Sequence, residues 1–200
     1  QRHLQHIISI LHNKTEYELK LLADGLEHLP SCLDIKLVNS NATNGYYDIE
    51  PHADGKTINV YCDMETDGKV WTAMKSCKQI LYTGMTDVAR GSLDVKTKSG
   101  IFMLEPTGND PNARAKVYCD METEGGGWAH IATIADDKND YWTWNNRDYL
   151  RTGNQYGTLE NRTTHDYQNK LWATLKGNEV LLNSEATHSK YLIYSDIIYD

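Results

Sequence analysis

Seven consecutive residues, Val60-Tyr61-Cys62-Asp63-Met64-Glu65-Thr66, recur unchanged as Val117-Tyr118-Cys119-Asp120-Met121-Glu122-Thr123. Chance does not produce a match of that length in a chain of 200 residues, so the chain contains a duplicated module. Each copy reads as a short strand ending in a cysteine, an acidic turn, and a tryptophan, Trp71 or Trp128, that anchors a small core. The copies differ just before that anchor. The second has Gly125-Gly126-Gly127, which admits positive φ and close backbone approach, where the first has Gly68-Lys69-Val70, so the two turns are expected to differ in shape.

The duplication also orders the cysteines. Four cysteines allow three connectivities, and spacing alone does not choose among them. Equivalent positions in two copies should make equivalent bonds, which gives Cys32–Cys62 and Cys77–Cys119, one bridge within each copy. Loops of that length imply about 3–4 kcal/mol of stabilisation each in the loop-entropy view. A zinc site is the competing reading, but the short Cys-x₂₋₄-Cys spacing it wants is absent. Three Asn-x-Thr sequons, at Asn13, Asn41 and Asn161, join the paired cysteines in pointing to the secretory pathway and an extracellular protein.

Charge and hydropathy exclude whole classes. A net charge of −8 argues against nucleic acid, which wants a basic face. No apolar run approaches the roughly 18 residues of a membrane span. The chain starts at Gln1, so a leader or longer upstream sequence is expected to precede it. Eight scattered histidines form no His-Glu-x-x-His, and no nucleophile elbow, phosphate loop or dinucleotide motif is present. His130 sits mid-strand as a core histidine, and His165 beside Asp166 is a dyad only on paper. The expectation is a protein without catalysis.

Along the chain, residues 1–30 read as a helical stalk. Leu4, Ile8, Leu11, Leu22 and Leu29 mark a coiled-coil seam, interrupted by Thr15, Glu18 and Gly25, and Pro30 ends it. The alternative is that this stripe packs on the helix's own domain. Residues 31–75 form the first, shortened module, with an Asp54-Gly55 hairpin turn between a strand at 46–51 and its return at 57–62. Only six positions separate Trp71 from Cys77, so the two modules are expected to pack together. Within 76–200, residues 81–99 read as an ordered loop with at most one short helix. A strand follows at 129–134, an irregular polar and aromatic stretch to 157, a helix at 169–176, and strands at 179–182 and 190–194. The fold class is α+β.

The string Tyr118-Cys119-Asp120-Met121-Glu122-Thr123-Glu124-Gly125-Gly126-Gly127-Trp128 resembles the signature of fibrinogen-related domains, in the branch that includes the intelectins, or X-type lectins. Ser76-Cys77-Lys78-Gln79-Ile80 and residues 100–106 belong to the same resemblance, and the first copy resembles a shortened version of that subdomain. The likeness thins after Trp128 but persists at Asp166-Tyr167-Gln168-Asn169. It implies a stalk-borne oligomer and Ca²⁺ held by a loop after the glycine-tryptophan strand. Carried over by position, the ligands are Asp136, Asp137 and Asp166, with Asp148 more loosely aligned. The acidic run Asp136-Asp137-Lys138-Asn139-Asp140 suits a hard cation on its own chemistry; the bland reading is a solvated acidic loop. The family's sugar-binding part is expected beyond Asp200, so no ligand residue is carried over. Tyr141, Trp142 and Trp144 make either an aromatic platform for a sugar or, more plainly, core or oligomer contacts. Two functions follow. One is a structural or adhesive component assembling with copies of itself; the other is a calcium-dependent lectin that binds glycans.

Overall fold

The computed structural model describes residues 29–52, 54–84, 97–108, 110–135, 141, 143–146, 148, 153–183 and 188–192. The stalk at 1–28 lies outside these residues, as do most of the excursion between the second helix and the next strand and the acidic run 136–140.

Each repeat opens on a seven-residue helix that the sequence marks with a capping pair. In α1 (Cys32–Val38) the Ser31 hydroxyl accepts from the Asp34 amide and also bonds the Asp34 carboxylate at 2.5 Å. In α2 (Cys77–Thr83) the Ser76 hydroxyl accepts from the Gln79 amide at 3.1 Å. The Gln79 side chain reaches back to the Lys75 amide at 2.8 Å. Gly84 closes α2 in the left-handed conformation at φ 66.

Three antiparallel strands follow each helix: β1 (Gly45–Ile49), β2 (Ile58–Asp63) and β3 (Trp71–Ala73), then β4 (Gly100–Leu104), β5 (Ala115–Asp120) and β6 (Trp128–His130). The registers are the same in both units. Gly45 faces Cys62 as Gly100 faces Cys119, and Asp63 faces Trp71 as Asp120 faces Trp128. Disulfides tie each helix to its middle strand, Cys32 to Cys62 and Cys77 to Cys119. Period-two burial along β5 turns Ala115, Val117 and Cys119 inward and leaves Lys116 and Tyr118 on the opposite face.

The units join edge to edge. Met74, just past β3, forms a parallel bridge with Leu104 of β4; the Met74 amide donates to the Met103 carbonyl and the Glu105 amide to the Met74 carbonyl. One hydrophobic core runs from Cys32 and Ile49 through Met74 and Ile80 to Val117, Met121 and Leu171. The two units and the segment after them are thus packed around a shared interior.

The expected strand at 129–134 is broken in two. β6 ends at His130, and β7 (Ala132–Thr133) pairs with β8 (Tyr167–Gln168) in a different sheet. The switch falls at Ile131, whose carbonyl leaves the ladder to accept the Asn169 amide. The helix expected at 169–176 is a single 3₁₀ turn, Lys170–Ala173, capped by the Asn169 side chain. A hairpin of β9 (Glu179–Asn183) and β10 (His188–Leu192) ends the described chain. No helix among the described residues is long and apolar enough to cross a membrane.

Candidate binding cleft and the seams around it

The turn after each middle strand is built by an aspartate. Asp63 Oδ1 accepts the Glu65 and Thr66 amides at 3.2 and 2.9 Å, and Asp120 Oδ1 accepts those of Glu122 and Thr123 at 2.9 and 3.0 Å. Burial opposes charge on both carboxyls, but the hydrogen bonds of the Thr66 and Thr123 side chains, with these amides, outweigh it and hold both below the ordinary value. A non-glycine residue at positive φ follows in each turn, Asp67 at 56 and Glu124 at 48. The tryptophan indole then locks the turn, donating from Trp71 Nε1 to the Thr66 carbonyl at 3.0 Å and from Trp128 Nε1 to the Thr123 carbonyl at 2.8 Å.

The tyrosine at the matching place in each middle strand is roofed by an arginine from further along the chain. The Arg114 guanidinium lies 3.3 Å from the Tyr61 ring centre, and that of Arg162 lies 3.8 Å from the ring centre of Tyr118. Around Arg114 the seam is tight. Glu105, 3% exposed, accepts from the Tyr46 hydroxyl at 2.6 Å and the Asp110 amide at 3.1 Å, and pairs with Arg114 Nε at 3.4 Å. Burial disfavours the guanidinium charge, yet Tyr61 and Glu105 prevail and hold its pKa above the ordinary value. On the outer side Lys116 pairs with Asp67 and lies 5.2 Å from the Trp71 ring centre, with Lys69 at 5.7 Å. These contacts fasten the second unit to the first by charge and stacking rather than by apolar burial alone.

A cleft of about 500 Å³ opens beside this seam, between β5 and the segment 155–170. Its charged lining is mixed: Arg114, Lys116 and Lys170 against Asp63 and Glu160.

Of the two expected metal ligands among the described residues, Asp166 occupies a built position. It is 3% exposed, and its two carboxylate oxygens accept separate backbone amides, Oδ1 from Ala135 at 2.8 Å and Oδ2 from Tyr141 at 3.0 Å. Asp166 therefore clamps together Ala135 and Tyr141, the residues that flank the acidic run in sequence. Asp136 and Asp137 lie outside the described residues, and Asp148 is an exposed turn residue. No group of three or more candidate metal-ligating side chains occurs among the described residues, which do not by themselves make the calcium site. Asp166→Ala is expected to cost about 2–3 kcal/mol in urea unfolding, the cost of stranding amides that had a charged acceptor. A clamp acting by itself keeps that loss in EDTA, whereas a loss seen only with calcium would mark an ion as the true partner.

The remaining expected sites are placed plainly. Asn41 and Asn161 are exposed, and Asn13 lies outside the described residues. Tyr141 stacks flat on Tyr156, ring centres 3.5 Å apart, while Trp142 is outside the described residues. The exposed His165 ring bonds the Thr164 hydroxyl at 2.9 Å, and its neighbour Asp166 is turned into the clamp. Sequence reasoning passed over Arg114 and Arg162. An arginine two residues before the string Lys116 to Asp120 carried no signal until its tyrosine was in view.

Among the described residues, His130 is the histidine whose surroundings move its pKa. Its Nε2 is 2.6 Å from Thr133 Oγ1, and the Thr133 hydroxyl donates to the Arg162 carbonyl. The hydroxyl proton is thereby spent, so His130 donates from Nε2. Burial first, then Arg162, hold its pKa below the ordinary 6.5. The unfolded chain then takes up a proton at a pH where the folded one does not, so stability falls as pH drops below about 6.5. His130→Gln is expected to flatten the melting temperature against pH between 7 and 5.5; an unchanged slope would contradict the assignment.

The architecture defines a class: small β-rich units, each stapled from helix to strand, joined side by side. The chain belongs to the family of the fibrinogen beta and gamma chains' C-terminal globular domain, which matches residues 30–91 and again 84–189. Angiopoietin-2 of Canis lupus familiaris is 28% identical over 144 residues, 70% of this chain and 28% of that protein. Angiopoietin-2 of Bos taurus is 27% identical over 143 residues, 70% of this chain and 28% of that protein. In Mus musculus the figures for angiopoietin-2 are 27% over 146 residues, 72% and 28%. The chain thus spans little more than a quarter of these relatives. No solved structure matches it.

Proposed function

We propose that this is a non-catalytic, secreted extracellular protein that assembles with copies of itself, as a structural or adhesive component, through a duplicated fibrinogen-like subdomain. The observation that carries it is the docking of one unit on the next. Two units of one build and one register share a core and a sheet edge, and Arg114 on Tyr61 is matched by Arg162 on Tyr118. The family match to two successive stretches, 30–91 and 84–189, supports the duplication. Two disulfides and the exposed Asn41 and Asn161 sequons support secretion. On this reading residues 1–30 are the oligomerising stalk.

Light scattering on the eluting full chain, and on a chain beginning at Pro30, tests this. The expected result is an oligomer for the full chain that shrinks without residues 1–29. A monomer in both would end the assembly reading. The second reading, a calcium-dependent intelectin-like lectin, is favoured by the buried carboxylate of Asp166, which bonds the amides of Ala135 and Tyr141 on either side of the acidic run in sequence. Binding of the intact glycoprotein to a glycan array, in calcium and then in EDTA, tests that reading separately; calcium-dependent binding to defined sugars would support it, and none in either condition would remove it.

A further inference from the structure

The cleft beside β5 is used by neither reading. Arg114 and Lys116 lie two positions apart on one face, and the Lys116 carbonyl accepts from Asn169 Nδ2 at 2.9 Å, which brings Lys170 alongside. Two of the three cations are already spoken for, Arg114 by Glu105 and Tyr61, and Lys116 by the exposed Asp67. Lys170 has no ion pair among the described residues, although it lines the cleft with Glu160. Of the two acids, Asp63 gives its Oδ1 to the amides of its turn, and its charge is stabilised by Arg114. The cleft therefore offers one uncommitted ammonium, a second that its exposed partner can share, and the carboxylate of Glu160. Gln155 and Thr158, both exposed, add an amide and a hydroxyl at the same lip.

That set wants a ligand with a negative group and several hydroxyls together. Lys170 and Lys116 suit the anion through charge-assisted bonds, and Glu160, Gln155 and Thr158 suit donors and acceptors of a sugar ring. We propose that this cleft binds a carboxylate- or sulfate-bearing saccharide without calcium, Lys170 and Lys116 holding the anionic group. The volume of about 500 Å³ fits one or two sugar rings. The saccharide part rests on the extracellular placement proposed above; the anion part does not.

The test is calorimetric titration of the full chain, in EDTA, with a sulfated, glucuronate-containing hexasaccharide. Binding is expected to persist in EDTA, to weaken with added salt, and to fall about tenfold or more in Lys170→Glu. Lys170 is half-buried and has no ion pair among the described residues, so the variant is expected to keep its fold, which its urea curve checks. The double variant Gln155→Ala/Thr158→Ala, at exposed positions, is expected to weaken the saccharide while leaving binding of inorganic sulfate as it was. No binding, or affinity unchanged in Lys170→Glu, would overturn the site. Equal affinity for polyglutamate of matched charge would overturn the saccharide. A monomer in the assembly experiment would not touch either result.

Discussion

Replacing Cys77 and Cys119 by serine is expected to lower the unfolding free energy by about 4 kcal/mol, the loop-entropy value for a cross-link of this length. The bond spans 42 residues and that of Cys32–Cys62 spans 30, so the entropy of the unfolded chain barely distinguishes them. Position does. Cys119 sits in β5, between β4 and β6 and one residue from Tyr118, on which Arg162 lies. Loss of the second bridge therefore loosens the sheet that holds both the first unit and the segment after Trp128. Domains are commonly stable by about 5–15 kcal/mol, so this change removes a large share of the total. The two double serine variants, compared by urea unfolding, should each show one transition, because a single core links the units. A first unit that melts alone in the Cys32→Ser/Cys62→Ser variant would show that the shared core is too weak to couple them.

Much of this architecture stood in the sequence because the repeat carried it. The hairpin at Asp54-Gly55, the middle strands ending in Cys62 and Cys119, and the place of each tryptophan follow from local chemistry repeated twice. The two short helices were equally local, yet passed unread. Ser31 with Asp34 and Ser76 with Gln79 are capping pairs, but seven residues offer no apolar period to announce a helix. The break at Ile131 had no local sign, since residues 129–134 carry no glycine, proline or turn residue and read as one strand. What divides them is the distant Asn169 amide.

The candidate site divides in the same manner. Asp166 was visible as a carboxylate in a family-like motif, but its partners, the Ala135 and Tyr141 amides, are set by where the chain returns 31 and 25 residues away. The cleft cations come from β5, from the residue just before it and from the turn after β8, which no spacing rule relates.

Gly126→Ala is the point substitution expected to do most damage. Gly126 closes the second turn at φ 72 and ψ −179, a region that only glycine occupies without strain. A Cβ built there would lie 2.2 Å from the Met121 carbonyl oxygen, and that oxygen is backbone in a residue 2% exposed, so it cannot step aside cheaply. Backbone strain of about 1–3 kcal/mol and the displacement of a buried turn therefore act together. The matching residue of the first unit gives the internal control. Lys69 closes its turn at φ −122 and ψ 161, ordinary extended backbone that any residue adopts. The two turns share their aspartate clamp, left-handed acidic residue and indole bond, and diverge at this point and the next, where Gly127 is at φ 85 and Val70 is not at positive φ. Lys69→Gly should thus cost no more than about 1 kcal/mol, mostly through the looser unfolded chain. Gly126→Ala should cost about 3 kcal/mol or more by the strain and clash just described. The Lys78 ammonium, which bonds the Gly126 carbonyl at 3.2 Å, would lose its partner as the turn shifts. Equal effects of the two substitutions in urea unfolding would show that the glycine run is not a conformational requirement, and the difference between the two turns would then need another cause.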